Sequence, residues 1–429
     1  MIRIFALCLL AACQNKDTDS SVSSSVDTAT EAHTAQYRRV AVVETSSGKL
    51  LITNDSNGEV EGEVCLSELH PDPCAGGSGL ENPCLMFGTD LQTDGSLLLT
   101  YTLRDPSTPL APGVISLVDP GHPPIPRWTV HRLTIPEGLQ VREGINCSTD
   151  PGAPGCHLYG AHNTWILDDG TLLVSDTSNS RILWLQEPGA DDAAQVEAIL
   201  STGHPHWGTE RYPNQVQALV IDGVPHILIT FKAQAVPGGE ILDEGRIVLW
   251  DVSDRSHPER IWAFPEEGGL AAVHQAWVGD TPAGSIMLYA HSKGAFDDDQ
   301  PHQYGSIGFA AFHGRTPPGY LADGLLPEPG LGFTREVEWD PVTDQLLVID
   351  SGCENSQDDC GRTGRTLAID WPELNPSTLS GAVSSTHDNQ RFIELNLQHN
   401  LMRRPLRFPF EVDPLNEDQL VNIGMCDEG

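Results

Sequence analysis

Positive charge is scarce in this chain. Of its 429 residues, 24 are Lys or Arg against 60 Asp or Glu, giving a formal net charge of −36. Lysine occurs only at Lys16, Lys49, Lys232 and Lys293. Nucleic-acid binding needs basic stripes along a phosphate backbone, so that class of partner is excluded. Long apolar stretches are missing too. Ile4–Leu10 falls far short of the roughly 20 residues of a spanning helix, and no later segment does better. No amphipathic helical pattern of about 15 residues stands out, which argues against an α/β fold. The usual catalytic signatures are absent: no G-x-S-x-G, no H-E-x-x-H, no G-x-x-x-x-G-K-[ST] and no dinucleotide glycine fingerprint. Turn formers are abundant, with 41 Gly and 32 Pro beside 39% apolar residues. That mixture marks a globular, strand-rich chain.

The N-terminus reads as an address. Residues 1–12 carry a charged start, a brief apolar run and small residues before a cysteine, the pattern of an export signal. Leu10–Ala11–Ala12–Cys13 resembles the bacterial lipobox, which implies diacylglycerol on the Cys13 thiol. The Gln14 that follows implies the outer membrane of the cell envelope, so the membrane itself is a partner through the anchor. Residues 13–36, rich in Ser, Thr and Asp, predict a flexible tether, and residues 37–429 the folded domain.

Beyond Cys8 and Cys13 there are eight cysteines: Cys65, Cys74, Cys84, Cys147, Cys156, Cys353, Cys360 and Cys426. An even number in an exported chain predicts disulfides, with 105 formal pairings. Cys147–Cys156 and Cys353–Cys360 each close a short polar loop and are the expected local pairs. Cys65–Cys426 is a candidate staple across the chain ends. The spacings lack the C-x2-C form of structural zinc, so no metal is expected there.

A hexad recurs along the whole chain: Gly95–Thr100, Gly170–Ser175, Pro225–Thr230, Gly284–Tyr289, Asp344–Ile349 and, more loosely, Asp418–Ile423. Each is a buried-strand run opened by a turn residue. Further strand candidates precede it (Asn163–Leu167, Gln215–Ile221, Val273–Val278, Glu336–Trp339) and follow it (Val114–Val118, Arg181–Leu185, Arg246–Trp250, Ser306–Phe312, Thr366–Trp371). A fourth set is drawn at Trp128–Ile135, Gln195–Leu200, Arg260–Phe264 and Arg391–Leu397. Four antiparallel strands repeated at roughly 55–75 residues predict an all-β fold, a β-propeller. Five complete repeats plus a composite blade give six. In that blade two N-terminal strands (Arg39–Glu44, Lys49–Thr53) meet two C-terminal ones (Phe408–Val412, Gln419–Ile423). If Gly48–Thr53 heads a blade of its own, the count is seven.

Inner strands of a propeller line its axis, so polar residues at their entrances are the candidate site. These are His162 and Asn163, Gln215 and Gln217, His274 and Gln275, and Arg335. Imidazoles and a guanidinium arriving one per blade could grip an anion or supply a nucleophile with charge stabilisers. The Asp/Asn clusters Asn54–Gly58, Asp176–Asn179 and Asp297–Asp299 read as strand turns; calcium is the one cofactor they could hold.

Gly160–Leu185 (G-A-H-N-T-W-I-L-D-D-G-T-L-L-V-S-D-T-S-N-S-R-I-L-W-L) resembles the His-led repeat of bacterial arylsulfotransferase-type propellers. It is also similar to NHL-type repeats in its D-x-x-N-x-R turn. The first resemblance implies sulfuryl transfer from an aryl sulfate through a channel histidine. It would give His162, His274 and Arg335 catalytic roles, with Arg335 as the anion clamp. Arg335 stands where that family's nucleophilic histidine is sought, and Gln217 where another histidine is expected. The other expectation is a binding or scaffold propeller that holds a protein, glycan or small ligand, with Asn163, Gln217 and Gln275 among its contacts.

Overall fold

The computed structural model describes residues 39–54, 57–74, 84–103, 113–136, 139, 156–189, 192–202, 210–235, 241–242, 244–266, 269–271, 273–291, 305–326, 330–352, 364–372, 374, 392–401, 409–415 and 423–426. The expected signal, Cys13 and the tether lie outside these residues, as do Cys147, Cys353, Cys360 and Asp297–Asp299. Among the described residues no helix is long and apolar enough to cross a membrane.

Alternating apolar strands separated by tight turns give six antiparallel sheets. Blade 1 comprises Cys84–Leu91, Leu97–Leu103, Gly113–Asp119 and Ile125–Val130; blade 2, Ala161–Ile166, Leu172–Asp176, Arg181–Leu185 and Ala193–Ser201. Blade 3 comprises Glu210–Ile221, Val224–Ala235, Glu244–Asp251 and Glu259–Phe264; blade 4, Val273–Thr281, Gly284–His291, Ser306–His313 and Thr316–Leu325. Blade 5 holds Thr334–Asp340, Gln345–Asp350, Arg365–Asp370 and Leu397–Asn400. Blade 6 is built from both chain ends, with Pro409–Leu415 innermost, then Arg39–Glu44, Lys49–Asn54 and Val60–Cys65.

The ring closes because every strand alternates its apolar residues between two neighbours. Val40 and Val42 pack against Leu347 and Ile349 of blade 5, whereas Ala41 and Val43 join Met86, Leu97 and Leu99 of blade 1. Leu98 turns the other way, to Leu172 and Val174 of blade 2. Blades 2 and 3, 3 and 4, and 4 and 5 share equivalent clusters. Six sheets therefore share six apolar interfaces, and each inner strand touches the next around the axis. This is a six-bladed β-propeller.

The hexads are the second strands of blades 1 to 5. Four of the five opening residues have positive φ, Gly95 at 85°, Gly170 at 82°, Gly284 at 101° and Asp344 at 56°, while in blade 3 the positive φ falls on Asp222 and Gly223, ahead of Pro225. That conformation costs a side-chain-bearing residue energy, which is why glycine opens three of these strands.

Several expected strand positions are corrected. Blade 6 takes three strands from the N-terminus and one from the C-terminus, not two and two, because Val60–Cys65 pairs directly with Lys49–Asn54. The Gly48–Thr53 run is the third strand of that blade, so no seventh blade arises. The looser hexad at 418–423 lies outside the described residues except for Ile423, which is in no strand. Trp128–Ile135 divides: Ile125–Val130 completes blade 1, while Arg132–Thr134 crosses to pair in parallel with Ala193–Ser201 of blade 2. Arg391–Leu397 divides likewise. Phe392–Glu394 joins the outer strand of blade 4 in parallel, and Leu397–Asn400 closes blade 5. Neighbouring blades thus exchange edge strands, which covers open edges.

Cys65 is bonded to Cys426, and Cys74 to Cys84. Cys156 is also disulfide-bonded. In the described part of the turn cluster at Asp176–Asn179, the Asp176 carboxylate accepts from Tyr159 N, Asn179 Nδ2 and Arg181 Nε, so its oxygens are engaged by protein donors. Among the described residues, Glu63, Cys65 and Cys426 form the group whose ligand atoms converge, and both its sulfurs are in a disulfide.

Candidate functional site

The two-residue turns Asp222–Gly223, Pro282–Ala283 and Gly314–Arg315 lie on one face of the ring. On the other face, where the inner strands begin, the second and third strands are joined by four residues in blades 2 and 6 but are separated by 14 residues in blades 4 and 5, between His291 and Ser306 and between Asp350 and Arg365. Long connections on a rigid scaffold are where function concentrates.

Each inner strand carries a break in its pairing register near that longer-looped face. The extra residue is Phe87 in blade 1, His162 in blade 2, Asn214 in blade 3, His274 in blade 4, Arg335 in blade 5 and Phe410 in blade 6. A β-bulge puts two residues opposite one and so re-aims a side chain that a regular strand would turn into the sheet. The consequence is visible in the axial cavity. Sequence neighbours both line it: His162 with Asn163, Asn214 with Gln215, and Arg335 with Glu336, alongside Phe87. The space totals about 230 Å³ including its open mouth.

His162, His274 and Arg335 are joined in one hydrogen-bonded chain through Asn214. His162 Nδ1 is 2.8 Å from Asn214 Oδ1. Asn214 Nδ2 donates to the His274 carbonyl at 2.8 Å and lies 3.3 Å from His274 Nδ1. Arg335 Nη1 is 3.5 Å from the same Nδ1, and Arg335 Nε donates to Ser351 Oγ at 3.1 Å. The guanidinium stacks 4.7 Å from the Phe333 ring centroid, the His274 ring meets Phe333 edge-on, and Phe87 stacks on His162 at 4.6 Å. The Asn214 bulge is itself anchored, because Ser175 Oγ and Thr177 Oγ1 of blade 2 both donate to the Pro213 carbonyl.

The amides expected to bind a ligand are placed mainly between blades. Asn163 Oδ1 accepts from Trp165 Nε1 and from Val216 N of blade 3. Gln217 Nε2 donates to the Val278 carbonyl while its Oε1 accepts from Val278 N in blade 4. Gln275 Nε2 donates to Glu336 Oε1 at 2.7 Å and its Oε1 accepts from Val337 N in blade 5. Each amide stitches one inner strand to the next. Of these three, Asn163 also lines the cavity. Sequence reasoning missed Asn214, Phe87, Phe333, Ser351 and Glu336. Asn214 was within reach, since it precedes Gln215 as His162 precedes Asn163.

Both histidines are held neutral. Burial pushes the His162 pKa down to about 4, with the positive field of Arg335 and Lys232 adding to the shift and the Asn214 bond opposing it. The His274 pKa is likewise held well below the ordinary imidazole value, by burial first and then by the charges of Arg335, Lys232 and His162. An unfolded histidine takes up its proton near pH 6.5, so between pH 6.5 and about 4 the unfolded chain binds more protons and stability falls as pH falls. For His162 the loss integrates to about 2–3 kcal/mol. Urea unfolding midpoints measured from pH 7 to pH 4.5 should fall accordingly, and fall less in His162→Phe. An equal slope in both proteins would disprove the assignment.

No model of a known protein family matches this sequence, and no curated protein matches it. Among solved structures it is similar to a periplasmic gluconolactonase of Pseudomonas aeruginosa, at 11% identity and a TM-score of 0.45, over 89% of this chain and 99% of that one. It is also similar to a hypothetical selenium-binding protein of Sulfolobus tokodaii, at 12% identity and a TM-score of 0.47, over 90% and 95% of the two chains. Neither likeness bears on the chemistry of the hub. The arylsulfotransferase-type and NHL-type resemblance of Gly160–Leu185 rests on that segment alone.

Proposed function

We propose that this propeller is a ligand-binding module of the cell envelope whose axial cavity receives an anionic group. The supporting observation is that Arg335 and His162 line one small cavity in a chain of net charge −36. Lys232 adds to the positive field there. A local positive site in an acidic particle selects for one anionic moiety at the axis, while the surrounding charge disfavours bulk polyanions. Arg335 is the electrostatic anchor, and Asn163, Asn214 and Gln215 offer amide contacts at the wall. Export and a lipid anchor on Cys13, expected from residues 1–36, support an outer-membrane location for the module; the intact mass of the mature chain reads the lipid directly.

Calorimetric titration with inorganic sulfate, inorganic phosphate and an aryl sulfate tests the reading. At least one should bind, and Arg335→Leu should weaken that binding at least tenfold, because a desolvated charge pair is lost. Absence of heat with all three anions at millimolar concentration would sink the proposal.

A second reading, sulfuryl transfer through a channel histidine, is favoured by one observation: His162 lines the cavity as a neutral imidazole with Nδ1 held by Asn214. A neutral ring can act as a nucleophile, with Arg335 stabilising the transferred charge. Turnover of a chromogenic aryl sulfate, lost in His162→Ala, is its requirement; wild-type protein without turnover leaves only the binding role.

A further inference from the structure

We infer that Asn214 is a positioning residue that locks the two hub histidines into opposite tautomers, leaving His162 with its lone pair on Nε2 and His274 with its proton on Nε2. The chain of reasoning begins at a backbone carbonyl. The His274 carbonyl can only accept, so the Asn214 side-chain atom 2.8 Å from it is the amide nitrogen and the other is the oxygen. That oxygen can only accept, so the His162 Nδ1 lying 2.8 Å away must donate to it. Being neutral, the His162 ring then carries its lone pair on Nε2.

The opposite holds for His274. Its Nδ1 faces two groups that can only donate, Asn214 Nδ2 at 3.3 Å and Arg335 Nη1 at 3.5 Å. It must therefore accept, and the ring proton sits on Nε2. An independent observation agrees that this nitrogen is special. His274 is 1% exposed, and Nε2 is buried without a hydrogen-bond partner among the described residues. A buried donor of this kind is rare in a folded protein and calls for an acceptor such as an ordered water or a ligand atom.

Asn214 is suited to this task because both ends of its amide are in use. The nitrogen's protons serve His274, the oxygen serves His162, and the bulge that presents the side chain is fixed through Pro213. An aspartate of the same shape offers only acceptors and could not hold His274 Nδ1 unprotonated. The functional consequence rests on the hub being the ligand site: His162, which lines the cavity, then presents a neutral ring with its lone pair on Nε2, while His274, outside that lining, keeps its proton on a buried Nε2.

The test is the ring-nitrogen signature of histidine. In long-range proton–nitrogen spectra of the full chain labelled with 15N-histidine, His162→Phe and His274→Phe assign the two rings by loss of signal. At pH 7.5 the wild type should show pyrrole-type Nδ1 and pyridine-type Nε2 for His162, and the reverse for His274. In Asn214→Asp the pyridine-type signal of His274 Nδ1 should vanish while His162 keeps its tautomer. The same tautomer in both wild-type rings would overturn the inference whether or not Asn214→Asp folds. So would an Asn214→Asp spectrum identical to wild type. Adding inorganic phosphate or sulfate to the wild type separates the two ideas. If opposite tautomers are present but neither anion moves either ring signal, the tautomer inference stands and the anion reading fails.

Discussion

Leucine at Arg181 is expected to destabilise the protein by about 3–5 kcal/mol, the usual loss when one partner of a buried ion pair is removed. The side chains of Arg181 and Asp176 are 2% and 0% exposed, and Arg181 Nε donates to Asp176 Oδ2 at 2.6 Å. Arg181 Nη2 and Asn179 Nδ2 both donate to the His157 carbonyl, tying the approach to blade 2 to its own third strand. Removing the guanidinium strands a carboxylate in the interior, where burying an unpaired charge is costly. Urea unfolding should show this as a lower midpoint with little change in slope. The double variant Asp176→Leu/Arg181→Leu should recover part of the loss, because it leaves no orphaned charge. A single-variant cost under about 1 kcal/mol, or a double variant worse than the sum of the singles, would contradict the account. Blade 5 repeats the device. Arg365 reaches Asp350, whose Oδ1 accepts from the backbone N–H groups of Gly332, Phe333 and Gly352. There the pair also fixes Phe333, on which the Arg335 guanidinium lies.

Serine at both Cys65 and Cys426 should cost a further large amount, about 6 kcal/mol on the chain-entropy scale for so long a loop. The two cysteines are 361 positions apart. Their bond ties the outermost strand of blade 6 to the tail that follows its innermost strand, and Glu63 N donates to the Gly424 carbonyl beside it. Without the bond, closure relies on strand pairing and on the apolar contacts of Val40–Val43 with blades 5 and 1. Calorimetry of the double-serine variant should give a melting midpoint several degrees lower. An unchanged midpoint would show that strand pairing alone holds the seam.

Much of this ring was readable from sequence because the second strands are largely buried, and four of their five apolar runs begin at a turn residue with positive φ. Outer strands were harder. Ile125–Val130 keeps its first three residues exposed, and Thr316–Leu325 contains two prolines and two glycines, so neither shows a clean alternation. The crossover pairings of Arg132–Thr134 and Phe392–Glu394 leave no local trace, since only the tertiary fold decides which sheet a three-residue edge strand joins. For the hub, His162, His274 and Arg335 stood out as charged or titratable residues beginning inner strands. Their convergence depends on bulges, which shift register by one residue and have no composition of their own. That shift is why Asn214 escaped notice while Gln217, two residues beyond Gln215, drew it.

The innermost wall of blade 6 is supplied by Pro409–Leu415, near the end of the chain. Synthesis runs from the N-terminus, so five blades can assemble while the axis still lacks one side. The hub is thus the last part of the molecule to come into being, and a chain halted even twenty residues early would leave its wall open.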